Sequence, residues 1–402
     1  MRYFSRTALR FIMPSPYEPH LNRVLRGIST VELVYTSHRQ WPLPPPPLSH
    51  PASSSHIDAD ADTVTELNIS VLDSSFNPPT LAHLALANIS LSQAFPCQPA
   101  SAVDASTLTS TNHFHAKLLL LSVRNADKSL KPGDATYEQR LDMMVRLAEE
   151  VRQDSSSSSS QPPEFGVSMS GNILEENNGS ISSAARTANA EANIAVAIID
   201  EPTFVGKSHV LLKFLTERLA SFPSGPRSTI SEGILGEPGV GSESQTSSST
   251  TSPTLRAVVR PNLTFIVGID TLERLFAPRY YGSPEDMHIR LQQFLGPWPD
   301  GDGSRVICAR RITPGLEVTE DERERKVLAA AKDFVDRGRI AVVDIDEHVR
   351  SFSSSEVRRS IEHGDEKWRR MVAANIRDYV QQHELYSTRV TDPTVDSART
   401  NN

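Results

Sequence analysis

Five apolar runs constrain this chain more than any other feature: KLLLLSV at 117–123, IAVAII at 194–199, LTFIVG at 263–268, RVICA at 305–309 and IAVVDI at 340–345. Each falls well short of the roughly 20 residues needed to span a bilayer. A strand with one wet face alternates apolar and polar residues, whereas a strand covered on both faces reads as an unbroken apolar run. Segments with helical spacing lie between the runs. Leu141, Met144, Val145 and Ala148 mark a helix over 137–151, and further helices are predicted over 208–219, shortly after Asp270, and over 320–336. Buried strands alternating with helices predict an α/β fold, a parallel sheet with helices on both faces. Ligands in such sheets bind beyond the carboxyl ends of the strands, near the point where strand order reverses.

The stretch LNISVLDSSFNPPTLAHLALA, residues 67–87, ends a strand in such a place. Leu67, Ile69, Val71 and Leu72 form the strand, Ser74 to Pro79 break it, and a helix follows with Leu81, Leu84, Ala85 and Leu86 on or near one face. Pro78 and Pro79 lack backbone donors and restrict the chain, so the turn is stiff. A stiff strand-to-helix turn leaves N–H groups pointing past the sheet edge, where an anion can sit. Thr80 and His83 are three apart and share a helix face. The combination predicts a phosphate site with an imidazole beside it; an ordinary turn with a surface histidine is the plainer reading of this stretch alone.

The chain has 402 residues, of which 38% are hydrophobic and 22% charged, a globular composition diluted locally by Pro- and Ser-rich blocks. A net charge of −8 gives no support to a nucleic-acid binder. Cys97 and Cys308 are too few for a disulfide framework or a zinc site of ordinary spacing. The expected organisation is an N-terminal extension over 1–62, one domain over 63–388, and a polar tail over 389–402. The extension carries a Pro-rich segment at 41–51, a helix near Leu21, Val24 and Leu25, and a short apolar stretch from Val31 to Tyr35. The Ser-, Asn- and Gly-rich segments 153–189 and 223–254 lack the apolar residues to bury and read as disordered insertions. Arg2, Arg6 and Arg10 fit either a mitochondrial transit helix or an upstream extension of a start at Met13.

SSFNPPTLAH resembles the GSFNPxTxxH form of the H-x-G-H signature of the nucleotidyltransferase superfamily, especially the nicotinamide mononucleotide adenylyltransferases, and is most similar to fungal members. A second segment, FSSSEVRRSIEHGD at 352–365, resembles the family's I-S-S-T-x-(I/V)-R. The resemblance extends over most of 67–386 and implies a Rossmann-like sheet without the G-x-G-x-x-G loop, which is indeed absent. It implies His83 and Arg358 as catalytic residues, with Ser75, Phe76, Asn77, Thr80, Lys131, Ser354 and Ser355 around the ATP phosphates. VRNADKSLKPGDATYEQRLDMM resembles the segment after the family's second strand, with Lys131, Arg140 and Met143 or Met144 as matches; a solvated loop lysine competes for Lys131. VGIDTLERL matches G-x-D-x-L at Gly268, Asp270 and Leu272, where Asp270 binds ribose hydroxyls or caps the helix. Glu201 and Phe204 stand where relatives carry an acid and an aromatic beside the nicotinamide, and Phe204 is equally readable as a core residue. Arg310 or Arg311 matches a strand-end arginine, and ANIRDYVQQHELY resembles the helical ending and carries no chemistry. Ser74, Thr80, Ala82 and Glu356 depart from the family pattern.

The resemblance implies adenylyl transfer from ATP to nicotinamide mononucleotide, giving NAD and pyrophosphate, with Mg²⁺ carried by ATP and water rather than by a carboxylate cage. It further implies neither nucleic-acid nor membrane partners, leaves a homo-oligomer open, and points to cytoplasm and nucleus, with the mitochondrion open through the Arg-rich N-terminus. Two other readings stand beside it: an adenylyltransferase for another phosphate acceptor such as phosphopantetheine, and a degenerate nucleotide-binding regulatory protein with residual ATP hydrolysis.

Overall fold

The structure, a computed structural model, describes residues 15–45, 65–96, 113–124, 131–152, 192–222, 259–310 and 317–387. The expectations for residues 1–14, most of the Pro-rich segment, the insertions at 153–189 and 223–254, Cys97, Arg311 and the polar tail lie outside these. In chain order the elements are α1 (Glu18–Leu25), β1 (Val31–Thr36), β2 (Thr65–Asp73), α2 (Leu81–Ala87), α3 (Leu91–Ala94), β3 (Ala116–Ser122) and α4 (Tyr137–Ala148). There follow β4 (Ile194–Ile199), α5 (Phe204–Ser221), β5 (Val259–Gly268), α6 (Ile269–Leu275), α7 (Pro284–Leu295) and β6 (Arg305–Arg310). The chain continues through α8 (Glu317–Ala330), α9 (Lys332–Asp336), β7 (Ile340–Asp344), α10 (Ser354–Glu362) and α11 (Ala374–Gln382).

The strands form one sheet in the order β1-β4-β3-β2-β5-β6-β7. Every pairing is parallel except that of β1 with β4. This is the doubly wound α/β order expected of a Rossmann-like fold, with an antiparallel strand added at one edge. The apolar stretch 31–35 thus belongs to the sheet. Alternate side chains go to opposite faces, and both faces are covered. Leu72, Leu119, Leu121, Ile266 and Ile307 pack with Leu21, Leu141, Met144, Val357 and Ile376 on one side. Ile69, Val71, Leu118, Leu120 and Phe265 pack with Leu211, Leu272, Leu291 and Phe334 on the other. Each fully buried leucine here contributes roughly 1.5–3 kcal/mol, which is why LLLL at 118–121 tolerates no polar alternation.

Helix boundaries follow local chemistry. Thr136 and Gln139 form a capping box at α4, Ser353 caps α10, and Thr203 caps α5, which begins four residues before the expected Ser208. The single helix expected over 320–336 is two, because Ala331 interrupts it. Helix α7 was not foreseen, although Ser283, Pro284, Glu285 and Asp286 spell a capped and acid-led start. Strand order reverses between β2 and β5, and the ligand crevice of a sheet of this order lies beyond the strand ends, here Asp73 and Gly268.

Candidate active site

The turn from Ser74 to Thr80 is built from buried parts. Phe76, Asn77 and Thr80 are all at most 4% exposed, and Phe76 holds a left-handed backbone, φ 44°, a conformation costly for a bulky residue unless its surroundings impose it. Its ring is 5.3 Å from that of His83. Phe76, Asn77 and Thr80 therefore form the buried frame of the turn, and Ser74 and Ser75 are its partly exposed residues. The Ser74 amide bonds to Leu120 O and the Leu81 amide to Met371 O, while the Thr80 amide bonds to His83. The amides of Ser75, Phe76 and Asn77 donate to no group among the described residues.

His83 is fixed in tautomer as well as in place. The Thr80 N–H can only donate, and it points at Nδ1 from 3.0 Å, so Nδ1 accepts and the neutral ring carries its proton on Nε2. Nε2 lies 3.0 Å from Ser74 Oγ, at the mouth of the turn. Ser74 thus shares its hydroxyl with the imidazole.

Residues distant in sequence converge on Asn77. Its Oδ1 accepts from the Ala135 amide at 3.2 Å and the Tyr386 hydroxyl at 2.9 Å, and its Nδ2 donates to Asp134 Oδ1 at 2.8 Å. Its main-chain carbonyl accepts from Arg358 Nη1 at 2.5 Å, across a separation of 281 positions. Ser354 Oγ donates to Pro78 O at 2.7 Å, and Arg358 Nη2 is 3.4 Å from Ser355 Oγ. The two signature segments therefore meet directly, and the hydroxyl of Ser354 is spent on holding the turn. Arg358 remains 30% exposed on its side chain. Arg140 is buried and grips Ala135 O and Ser75 O at 3.0 and 3.4 Å. Burial pulls its pKa down, and the neighbouring Asp134 carboxylate opposes that shift. Asp134 lies 3.5 Å from Arg140 and 3.7 Å from Arg358. Lys131 is exposed, and its amide donates to Asp134 Oδ2 at 3.1 Å.

Across the crevice, Gly268 ends β5. A Cβ there would meet nothing within 4 Å, so internal packing does not demand glycine and the space is open. Asp270 does not cap α6; its carboxylate pairs with Arg323 at 2.7 Å. Glu201 Oε1 accepts from the amide and hydroxyl of Thr203 at 3.0 and 2.7 Å, which ties the acid to the entry of α5. Arg310 is held between Glu324 and Asp344 at 2.8 and 3.0 Å. Phe204 is partly buried, its ring edge-on to Phe265 at 5.8 Å, with Lys207 Nζ 4.8 Å from its centroid. Those contacts make Phe204 a packing residue first. Phe204→Ala is expected to cost about 2–4 kcal/mol, near the low end for a phenylalanine truncation because the ring is not fully buried. Denaturant titration checks this; an unchanged midpoint would free Phe204 for a purely ligand-facing role.

Several contributors escaped the sequence reading. Asp73 and Lys207 form a buried ion pair at the crevice floor, 9% and 5% exposed on their side chains, with Ser122 Oγ donating to Asp73 at 3.2 Å. Asp134 and Tyr386 serve the turn as described. Asp73 and Asp134 did carry a local signal, since each is an acid within or beside a motif already singled out.

No family model matches the chain, and no curated protein matches it either. Among solved structures, Plasmodium falciparum nicotinic acid mononucleotide adenylyltransferase complexed with APC is similar over 80% of this chain and 97% of that one, with 11% identity and a TM-score of 0.35. A likeness of that depth carries no chemistry with it.

Proposed function

We propose that this protein transfers the adenylyl group of ATP to the phosphate of nicotinamide mononucleotide, forming NAD and releasing pyrophosphate. The supporting observation is the convergence on one turn of the two signature segments, with an imidazole whose Nε2 proton is fixed and the part-exposed Arg358 side chain. This arrangement suits in-line displacement at a phosphorus. An oxygen of the acceptor phosphate attacks the α-phosphorus, the bond to the bridging oxygen of the β-phosphate breaks, and pyrophosphate leaves with that oxygen. Such a reaction asks the protein for alignment and charge stabilisation rather than a nucleophile. His83 Nε2–H donates to a non-bridging α-phosphate oxygen as charge grows there. The partly exposed Ser75 and the exposed Ser355 hold the phosphate chain, and Arg358 faces the departing pyrophosphate. The open end of β5 at Gly268 receives the nucleotide.

Among the described residues no group of three or more His, Cys, Asp or Glu could hold a metal. The carboxylates nearest the turn, Asp73 and Asp134, are engaged with Lys207 and with Asn77 and the arginines. In this reading Mg²⁺ arrives with the substrate, as MgATP.

Arg358→Lys tests the leaving-group assignment. Lysine keeps the charge but loses the planar fork that reaches both Asn77 O and the crevice. A Michaelis constant for ATP raised about 10-fold or more, with that for the mononucleotide little changed, is the expected result. Parental kinetics for both substrates would remove Arg358 from the site.

A further inference from the structure

The polar contact between Tyr386 and Asn77 spans 309 positions and joins the last described turn of the chain to the centre of the candidate site. Asn77 is the residue through which that turn is fixed, and its amide orientation is unambiguous. The Ala135 N–H requires an oxygen at Oδ1, and the Asp134 carboxylate requires a nitrogen at Nδ2. The Tyr386 hydroxyl supplies the second donor to that oxygen, at 2.9 Å. Burial is the main reason its pKa lies above the ordinary tyrosine range, so the group stays a donor at neutral pH. The phenol is delivered by structure around it. Tyr386 has a left-handed backbone, φ 64°, and Leu385 beside it is buried, its amide bonded to Val380 O at 3.0 Å. Helix α11 is itself anchored on α4, through Tyr379 OH to Asp142 at 3.1 Å and Asn375 Nδ2 to Arg146 O at 2.9 Å.

We infer that Tyr386 is a positioning residue for the nucleotide site, holding Asn77 and through it the turn and the Arg358 guanidinium bonded to its carbonyl in the geometry that receives phosphate. The C-terminal end of the chain is then part of the site, which is incomplete without it. The catalytic consequence rests on the adenylyl-transfer reading; the mechanical one does not.

Two variants separate positioning from simple stability. Tyr386→Phe removes the hydroxyl and keeps the ring, whereas Tyr379→Phe weakens the seat of α11 without touching Asn77. Hydrogen exchange of the Ala135 amide, which donates to Asn77 Oδ1 at 3.2 Å, is the first readout in the unliganded full chain. Tyr386→Phe should accelerate it roughly 3- to 10-fold, the range expected for one hydrogen bond, and Tyr379→Phe should lower the melting temperature without that local acceleration. Steady-state kinetics with ATP and nicotinamide mononucleotide is the second. The Michaelis constant for ATP should rise by a similar factor in Tyr386→Phe, with that for the mononucleotide unchanged. Unaltered exchange in Tyr386→Phe, or equal acceleration in Tyr379→Phe, overturns the inference. So does local acceleration in an active enzyme whose ATP kinetics stay parental. Acceleration confined to Tyr386→Phe in a protein that uses no ATP upholds the positioning and removes the adenylyl-transfer reading instead.

Discussion

His83→Ala is expected to lower the turnover number about 10²- to 10³-fold, the usual loss when one donor to a developing charge is removed. The expectation follows from the tautomer. With Nδ1 accepting from the Thr80 amide at 3.0 Å, the only ring proton of neutral His83 sits on Nε2, at the mouth of the turn. Its interaction strengthens as the α-phosphate gains charge, so turnover falls more than ATP affinity. The cap costs little by comparison: losing one helix N-terminal hydrogen bond is worth about 1 kcal/mol, and α2 stays pinned through Leu81 N to Met371 O. His83→Gln offers a partial control, since its amide nitrogen can donate where Nε2 does. Rate measurements beside thermal melts decide between the roles. A variant that turns over at the parental rate would show that the imidazole serves only as a cap.

The largest stability effect is expected from Lys207→Met. Lys207 and Asp73 are both nearly inaccessible to solvent, and removing Lys207 leaves the Asp73 charge buried with, among the described residues, the Ser122 hydroxyl to satisfy it. Breaking such a pair costs about 3–5 kcal/mol, whereas replacing both members by neutral groups is often close to neutral. Denaturant titration of Lys207→Met should therefore show a loss of that size, and Asp73→Asn combined with Lys207→Met should recover most of it. Failure of the double variant to recover would mean that the lysine stem and the Phe204 ring it covers, rather than the charge pair, hold α5 on the sheet.

The fold was legible because burial on both faces leaves a one-dimensional trace. LLLL at 118–121 and IAVAII at 194–199 could not have been surface strands; the first lies between two parallel neighbours, and the second is parallel to β3 and antiparallel to β1. The antiparallel direction of β1 was not legible, since six residues with a single buried member carry no directional signal. Of the site, His83 and Arg358 were readable from the two signature segments, and the fold brings those segments together at Asn77 and Pro78. Polar pairs were not readable. Lys207 meets Asp73 across 134 positions and Tyr386 meets Asn77 across 309; such pairings depend on how elements superpose in space, which no periodicity records. Local reading does not say how deeply a motif residue is buried. Asn77 and Thr80 stand in a phosphate-site motif in sequence, and in the fold both are buried in the frame of the turn.

The most direct measurement of the central claim is product analysis after incubating the full-length protein with ATP, labelled at the α-phosphate, and nicotinamide mononucleotide. Adenylyl transfer predicts labelled NAD and unlabelled pyrophosphate in a one-to-one ratio, with formation abolished when the mononucleotide is omitted. Label recovered only as ADP or AMP, with no NAD formed, would contradict it.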